Sequence, residues 1–189
     1  MRNALIAGAL ALTINGPAYA QQSMLDARMA QAIVAGCAAH STGKKQSHAI
    51  AVVDLGGHLV AGLRMDGNGS GIMDFSIAKA KAVAAWGFST AQMATSARET
   101  PGFGQAPNVV TVAGGVPVFS PDGKTRLGGV GVSGEAPDED AACAAAGITA
   151  AGLRRAAAEL RGSGPAATAF RAGRRDKRYA SRRVRRAAD

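Results

Sequence analysis

Between Ser23 and Ser41 the side chains Leu25, Met29, Ile33, Cys37 and His40 recur at three- and four-residue steps. That spacing gathers them on one face of a helix, and Ser23 stands where a hydroxyl would cap it. Thr42-Gly43-Lys44-Lys45 ends the pattern. His48 to Asp54 (HAIAVVD) is a short run rich in Val and Ile, the signature of a buried strand. Gly56-Gly57 then turns the chain, and His58 to Arg64 (HLVAGLR) returns as the second arm of a hairpin. Met65 to Gly71 is a polar, glycine-rich loop.

Met73 to Phe88 is Ala-rich and strongly helical. Ser89-Thr90 restarts a second short helix that runs to about Arg98, and Thr100 to Asn108 reads as a loop from its Pro and Gly content. Val109 to Ala113 and Val116 to Ser120 are expected strands on either side of a Gly114-Gly115 turn. Pro121-Asp122-Gly123 is a further turn, since Pro presets one dihedral and Gly accepts positive φ. Arg126 to Ser133 (RLGGVGVS) is the fifth strand, its glycines pointing to close approach of another backbone or a ligand. Pro137 opens a last helix, expected to reach about Leu160, with Asp138, Glu139 and Asp140 complementing its dipole. The order α-β-β-α-α-β-β-β-α predicts one α/β (α+β) domain, a five-stranded, mainly antiparallel sheet flanked by helices.

The 189 residues suffice for one domain with a sizeable core. Residues 1–20 have the form of a secretory signal: Arg2, an apolar run from Ala4 to Ile14, and a small-x-small site at Ala18-Tyr19-Ala20. An uncleaved anchor is the alternative, and no membrane span is expected later in the chain. The domain is assigned to residues 21–160, in a secreted or periplasmic location. The formal charge of +9 belongs almost wholly to residues 161–189, which hold ten basic and two acidic side chains. That tail, with Gly, Pro and clustered Arg and without apolar periodicity, is expected to be disordered, and the remainder is close to neutral. Nucleic acid is not an expected partner. Export would permit a bridge between Cys37 and Cys143, but spacing leaves a disulfide and two buried thiols both open.

The run AVVDLGGHLVAGLRMDG (Ala51 to Gly67), Lys81-Ala82 in the middle helix, AGGVPV (Ala113 to Val118), and GGVGVSG (Gly128 to Gly134) followed by Asp138 to Cys143 resemble the GlcG/HbpS-like haem-binding family. In order and spacing they cover nearly all of residues 24–155. The resemblance implies a five-stranded antiparallel sheet, a homo-oligomer, and haem binding in some members. It also implies a sensor partner for some exported members, and for others an accessory role beside alcohol, diol or glycolate oxidation, with a dehydrogenase as the partner. Two departures stand out: Ala84 occupies a position where Thr is common, and the basic tail has no family counterpart.

Haem requires an axial donor, an apolar slot and groups that meet its propionates. Of the three histidines, His40 is the first choice as iron ligand, because it follows Cys37 on the apolar stripe and the family's haem binders use a histidine of this helix. His58 reads as part of the hairpin turn, and His48 as an exposed strand start. Met65 and Met73 could offer sulfur but suit a core equally well. Arg64 and Lys81, with Lys79, are candidates for propionate pairing. Gly114, Gly115, Val116 and Pro117, with Ser133, are expected to present open backbone amides to a planar ligand. No HExxH, CxxC, P-loop or Ser-His-Asp pattern is present, so a non-catalytic haem-handling protein is expected, with action on haem or peroxide as a remoter reading.

Overall fold

The computed structural model describes residues 24–156, so the readings of residues 1–20 as a signal and of 161–189 as a tail lie outside it. Helix α1 (Ala27–Gly43) is capped by Asp26, whose Oδ1 accepts the Met29 N–H at 2.7 Å. The hairpin follows as β1 (Ala49–Asp54) and β2 (Leu59–Arg64). Helix α2 (Ser70–Trp86) begins three residues earlier than its apolar pattern suggests, taking Ser70 and Gly71 into its first turn. Helix α3 (Thr90–Glu99) opens on a full capping box between Ser89 and Gln92. Strands β3 (Gly115–Phe119) and β4 (Arg126–Ser133) precede α4 (Pro137–Ala150).

All pairings are antiparallel, in the order β2-β1-β4-β3. The sheet therefore has four strands where five were expected. Residues 109–113 carry strand-like side chains but form no ladder, and the chain joins the sheet only at Gly115. The last helix is also shorter than expected. Gly152, at φ +71°, stops it: the Gly152 N–H reaches the Thr149 carbonyl and the Leu153 N–H reaches that of Ile148, both at about 3 Å. The chain then turns back, and Arg154 bridges to Phe119 at the rim of β3.

Helices α1 and α4 pack on one face of the sheet, burying Ile33, Ile50, Val52, Val130, Val132 and Ile148. Helix α2 covers the other face against Ala51 and Val53. Because both faces are covered, β1 is apolar without alternation from Ala49 to Val53. The β4 glycines admit a backbone: a Cβ on Gly131 would overlap the Ser76 carbonyl, so α2 lies directly on the sheet. Cys37 and Cys143 form a disulfide with Cα atoms 4.8 Å apart, tying α1 to α4 in the core. No described helix is long and apolar enough to cross a membrane.

Candidate functional site

The β register sorts the candidate residues into two groups. Ala49 pairs with both Arg64 and Ser133, and Gly114 accepts the Val132 N–H, so Arg64, Ser133 and Gly114 share one end of the sheet. His48 adjoins that end. The β1–β2 turn, with His58, lies at the other end, about 17–20 Å away along β1. Lys81 belongs to the turn's end, where its Cγ would lie 3.7 Å from a Cβ on Gly57. The expected binding set therefore does not converge on one site.

A buried polar network occupies the first end. Lys79, 1% exposed, donates from Nζ to Asp140 Oδ2 at 2.9 Å and to the Val132 carbonyl at 2.8 Å. Asp140 accepts the Glu135 N–H at 3.1 Å, and His48 Nε2 lies 3.5 Å from its other oxygen. The far ring nitrogen of His48 meets Ser41 Oγ at 2.8 Å. Burial pushes His48 below its ordinary pKa. It also lowers Lys79 and raises Asp140, and the contact between those two offsets part of each shift.

Several expectations are corrected here. His48 is fully buried, because α1 and α4 both close over the start of β1. Lys79 is a core cation and offers nothing to a propionate. Asp140 is a core acceptor, whereas Glu139 remains outside, paired with Lys44 at 2.6 Å, which holds its carboxyl below the usual range. Gly114 and Gly115 do not present free amides: both are buried, and the Gly115 N–H is taken by Thr90 Oγ1 at 2.9 Å. Val116 packs against the core, Pro117 is buried, and Ser133 Oγ is enclosed without a partner. Sequence reasoning missed this network although it left a trace. Asp140 is in step with Cys143, Ala144, Gly147 and Ile148 on the buried face of α4, as Lys79 is with Ser76, Ala80 and Val83 on α2.

His40 is half-buried near the C-terminal end of α1, and its Nε2 is closed off from solvent with no hydrogen-bond partner. That nitrogen is not open to a ligand from solvent in the described chain. His58 differs: its side chain is 81% exposed. Its backbone N–H donates to Asp54 Oδ1 at 2.9 Å and its Nδ1 lies 3.3 Å from Oδ2. Chiefly through the backbone bond, these contacts hold the Asp54 carboxyl below its usual range. A carboxylate beside Nδ1 favours the proton there and leaves the lone pair of Nε2 free to bind a metal, as in second-shell pairing at metal sites.

His58 lines a cleft of about 360 Å³ with Leu55, Gly56, Lys81, Ala84 and Asn108. Ala84 is part of its wall and contributes no polar side-chain atom. Trp86 Nε1 donates to the Pro107 carbonyl at 3.0 Å, tethering the loop that supplies Asn108. Arg64 and Met65 line a separate surface recess of about 440 Å³ at the opposite end.

Residues 25–149 match the family described as haem degrading protein HbpS-like. The chain belongs to that family. No curated protein matches it. Among solved structures, a double mutant of Streptomyces reticuli HbpS is similar at 26% identity and TM-score 0.63, over 76% of this chain and 97% of that one. A PduOC–haem complex is similar at 19% identity and TM-score 0.65, over 71% and 99% of the two chains. Klebsiella pneumoniae ORFY is similar at 22% identity and TM-score 0.63, over 75% and 97%. The latter two likenesses bear on the fold.

The cleft fits haem in donor chemistry. His58 offers a nitrogen, Leu55, Ala84 and Ala85 offer apolar contact, and Lys81 offers a cation for a carboxylate. Its volume lies at the low end of ligand pockets, roughly 300–1,000 Å³, so one chain would cover only part of a porphyrin.

Proposed function

We propose that this HbpS-like protein binds and handles haem, non-catalytically, in the cleft between the β1–β2 turn and α2. The observation that carries the reading is His58, an exposed histidine held at Nδ1 by Asp54, which lines a cleft together with Lys81. His58 and Lys81 would hold the group, and the iron would supply redox and ligand-binding chemistry there. The PduOC–haem complex, of like fold, supports the ligand class. A location outside the cytoplasm is supported by the pattern of residues 1–20 and by the Cys37–Cys143 bridge, a bond that persists in oxidising compartments. A homo-oligomer, with a sensor or dehydrogenase as further partner, belongs to the same reading.

Hemin titration tests it. A saturable Soret shift is expected, together with quenching of Trp86, the only tryptophan, which adjoins the cleft. His58→Ala is expected to weaken binding by tenfold or more, on the order of one lost coordinate bond with its carboxylate support, and His40→Ala to leave it unchanged. Equal binding by His58→Ala, with loss in His40→Ala, would return the ligand to α1. A Soret band that survives ascorbate supports binding without turnover, and its bleaching with iron release overturns that part.

The cleft's modest volume favours one second reading, an accessory that takes a small hydroxy-carboxylate of an alcohol, diol or glycolate pathway at Lys81 and His58. Thermal stabilisation by glycolate, with no Soret shift, would select it.

A further inference from the structure

The buried polar groups at the end of the sheet do not stop at His48. Ser41 Oγ, 2.8 Å from His48 Nδ1, is also 2.9 Å from the Cys37 carbonyl and 3.2 Å from Cys143 Sγ. One line of contacts therefore runs from the Cys37–Cys143 bridge through Ser41 and His48 to Asp140 and Lys79. It joins α1, β1, α4 and α2, and every side chain in it is buried.

The hydrogens in this line follow from what each atom can do. A disulfide sulfur carries no hydrogen, so Cys143 cannot donate to Ser41. The Ser41 hydroxyl gives its one hydrogen to the Cys37 carbonyl, one turn back on α1. Its oxygen then only accepts, and His48 Nδ1 is the donor to it. Burial keeps the ring neutral, so Nε2 is left as a bare lone pair. The other side of the ring agrees. Nε2 has no hydrogen-bond partner and stands 3.5 Å from Asp140 Oδ1, a spacing that suits two acceptors better than an N–H and a carboxylate.

Opening the bridge adds a donor. A dithiol reductant supplies two electrons and two protons: one of its sulfurs attacks the bridge, the second closes its own disulfide, and Cys37 and Cys143 become thiols. The Cys143 S–H then has two acceptors at 3.2 Å, Ser41 Oγ and the Cys37 carbonyl. The first choice fills the lone pair that His48 uses; the second contests the carbonyl that the Ser41 hydroxyl uses. Either way the Ser41 O–H turns to His48 Nδ1, and the ring carries its hydrogen on Nε2, facing Asp140. The ring gains no net charge: one proton leaves Nδ1 and one arrives at Nε2, exchanged with water as the network opens locally.

We propose that the Cys37–Cys143 bridge sets the tautomer of His48, Nδ1–H when oxidised and Nε2–H when reduced, so that the redox state of the core is passed to Asp140. The effect reaches the surface. Asp140 Oδ1 accepts the Glu135 N–H at 3.1 Å, and Glu135 Oε1 in turn accepts the Ser47 N–H at 3.0 Å. A second donor on Oδ1 weakens the first of these bonds, so reduction loosens residues 134–136 and their hold on the start of β1. The other ionisable groups around the ring are His40 on α1 and Glu139 on α4; among the described residues neither hydrogen-bonds to it, and Glu139 is held by Lys44. The proposal stands apart from the haem reading.

Two-bond 1H–15N spectra of the whole protein test it. His48 is assigned by its loss in His48→Gln, and reduction by excess dithiothreitol is checked by mass after alkylation of the unfolded chain. The protonated nitrogen is expected to be Nδ1 in the oxidised protein and Nε2 in the reduced one, with roughly fivefold faster exchange of the Glu135 amide after reduction. One tautomer in both states overturns the proposal, as does a bridge that opens only when the chain unfolds. A switched tautomer with unchanged Glu135 exchange overturns the passage to the surface. Ser41→Ala, which cuts the line and keeps the bridge, is expected to hold one tautomer in both states; a switch that persists there overturns the relay through Ser41.

Discussion

Replacing Asp140 with alanine isolates the energetics of the buried network. Lys79 and Asp140 are 1% and 2% exposed and their charged atoms are 2.9 Å apart. At an effective dielectric of about 20 that separation corresponds to roughly 6 kcal/mol of attraction, set against the cost of taking both ions from water. The pair is therefore near break-even, but its rupture is not. Asp140→Ala would leave an ammonium in the core with only the Val132 carbonyl as partner, a loss of about 3–5 kcal/mol. For a domain of this size that lowers the melting temperature by on the order of 10–20 °C. Lys79→Met added to Asp140→Ala removes the orphaned charge and fills its space with an apolar chain, so the double variant is expected to regain at least about 2 kcal/mol. Urea melts of parent, both singles and the double, at one fixed protein concentration, close the cycle. An Asp140→Ala protein within about 1 kcal/mol of the parent would refute the argument. So would a double variant no more stable than the single.

Two further predictions concern the same interior. Cys37→Ser/Cys143→Ser releases a loop of 106 residues and is expected to cost up to about 4.7 kcal/mol by the loop-entropy relation, read from urea melts with and without reductant; a reduced protein as stable as the oxidised one would contradict it. Burial depresses His48, so the unfolded chain takes up a proton that the folded chain refuses, and stability present above about pH 6.5 is lost as the pH falls toward the folded value, by up to roughly 1.4 kcal/mol per pH unit. Asp140, raised by burial, acts with the opposite sign: its contribution is full below its unfolded value near 3.9 and is lost as pH rises through its folded value. His48→Gln should flatten the acid-side slope, and an unchanged slope would rule His48 out as its source.

The hairpin was legible because its evidence is local. A β-branched run, a Gly-Gly turn and a returning run specify β1 and β2 with no help from the rest of the chain. The helix restart at Ser89-Thr90 was legible for the same reason. The strand expected at 109–113 failed because side-chain preference says only that a segment could lie in a sheet, whereas pairing depends on a neighbour elsewhere in the sequence. Residues 109–113 have the preference and not the neighbour. The overlong α4 is a different kind of miss. Gly152 was in view, but the Ala-rich run around it outweighed the stop signal that its positive φ supplies.

The candidate site was less legible than the fold, and the three histidines show why. A sequence ranks them by the elements they fall on, which favours His40 on an apolar helical stripe and dismisses His58 as turn. What decides whether an imidazole can take a ligand is whether a ring nitrogen is open and whether the other is held. His48 has its Nδ1 engaged by Ser41 and its Nε2 sealed beside Asp140; His40 has its Nε2 shut in without a partner. His58 alone combines an exposed ring with a carboxylate at Nδ1. Part of that was readable, since Asp54 and His58 flank a three-residue turn, Leu55-Gly56-Gly57, that brings their side chains together. The remainder was not: Lys81 and Asn108 reach the same cleft from α2 and from a loop tethered by Trp86, contacts that exist only once α2 has packed against the sheet. The residues that read most strongly as a ligand cradle, Gly114 and Gly115, are spent on that packing. Their missing side chains make room for Lys79, Thr90 and Val83, so glycine here is the condition for burying α2 and not for receiving a ligand.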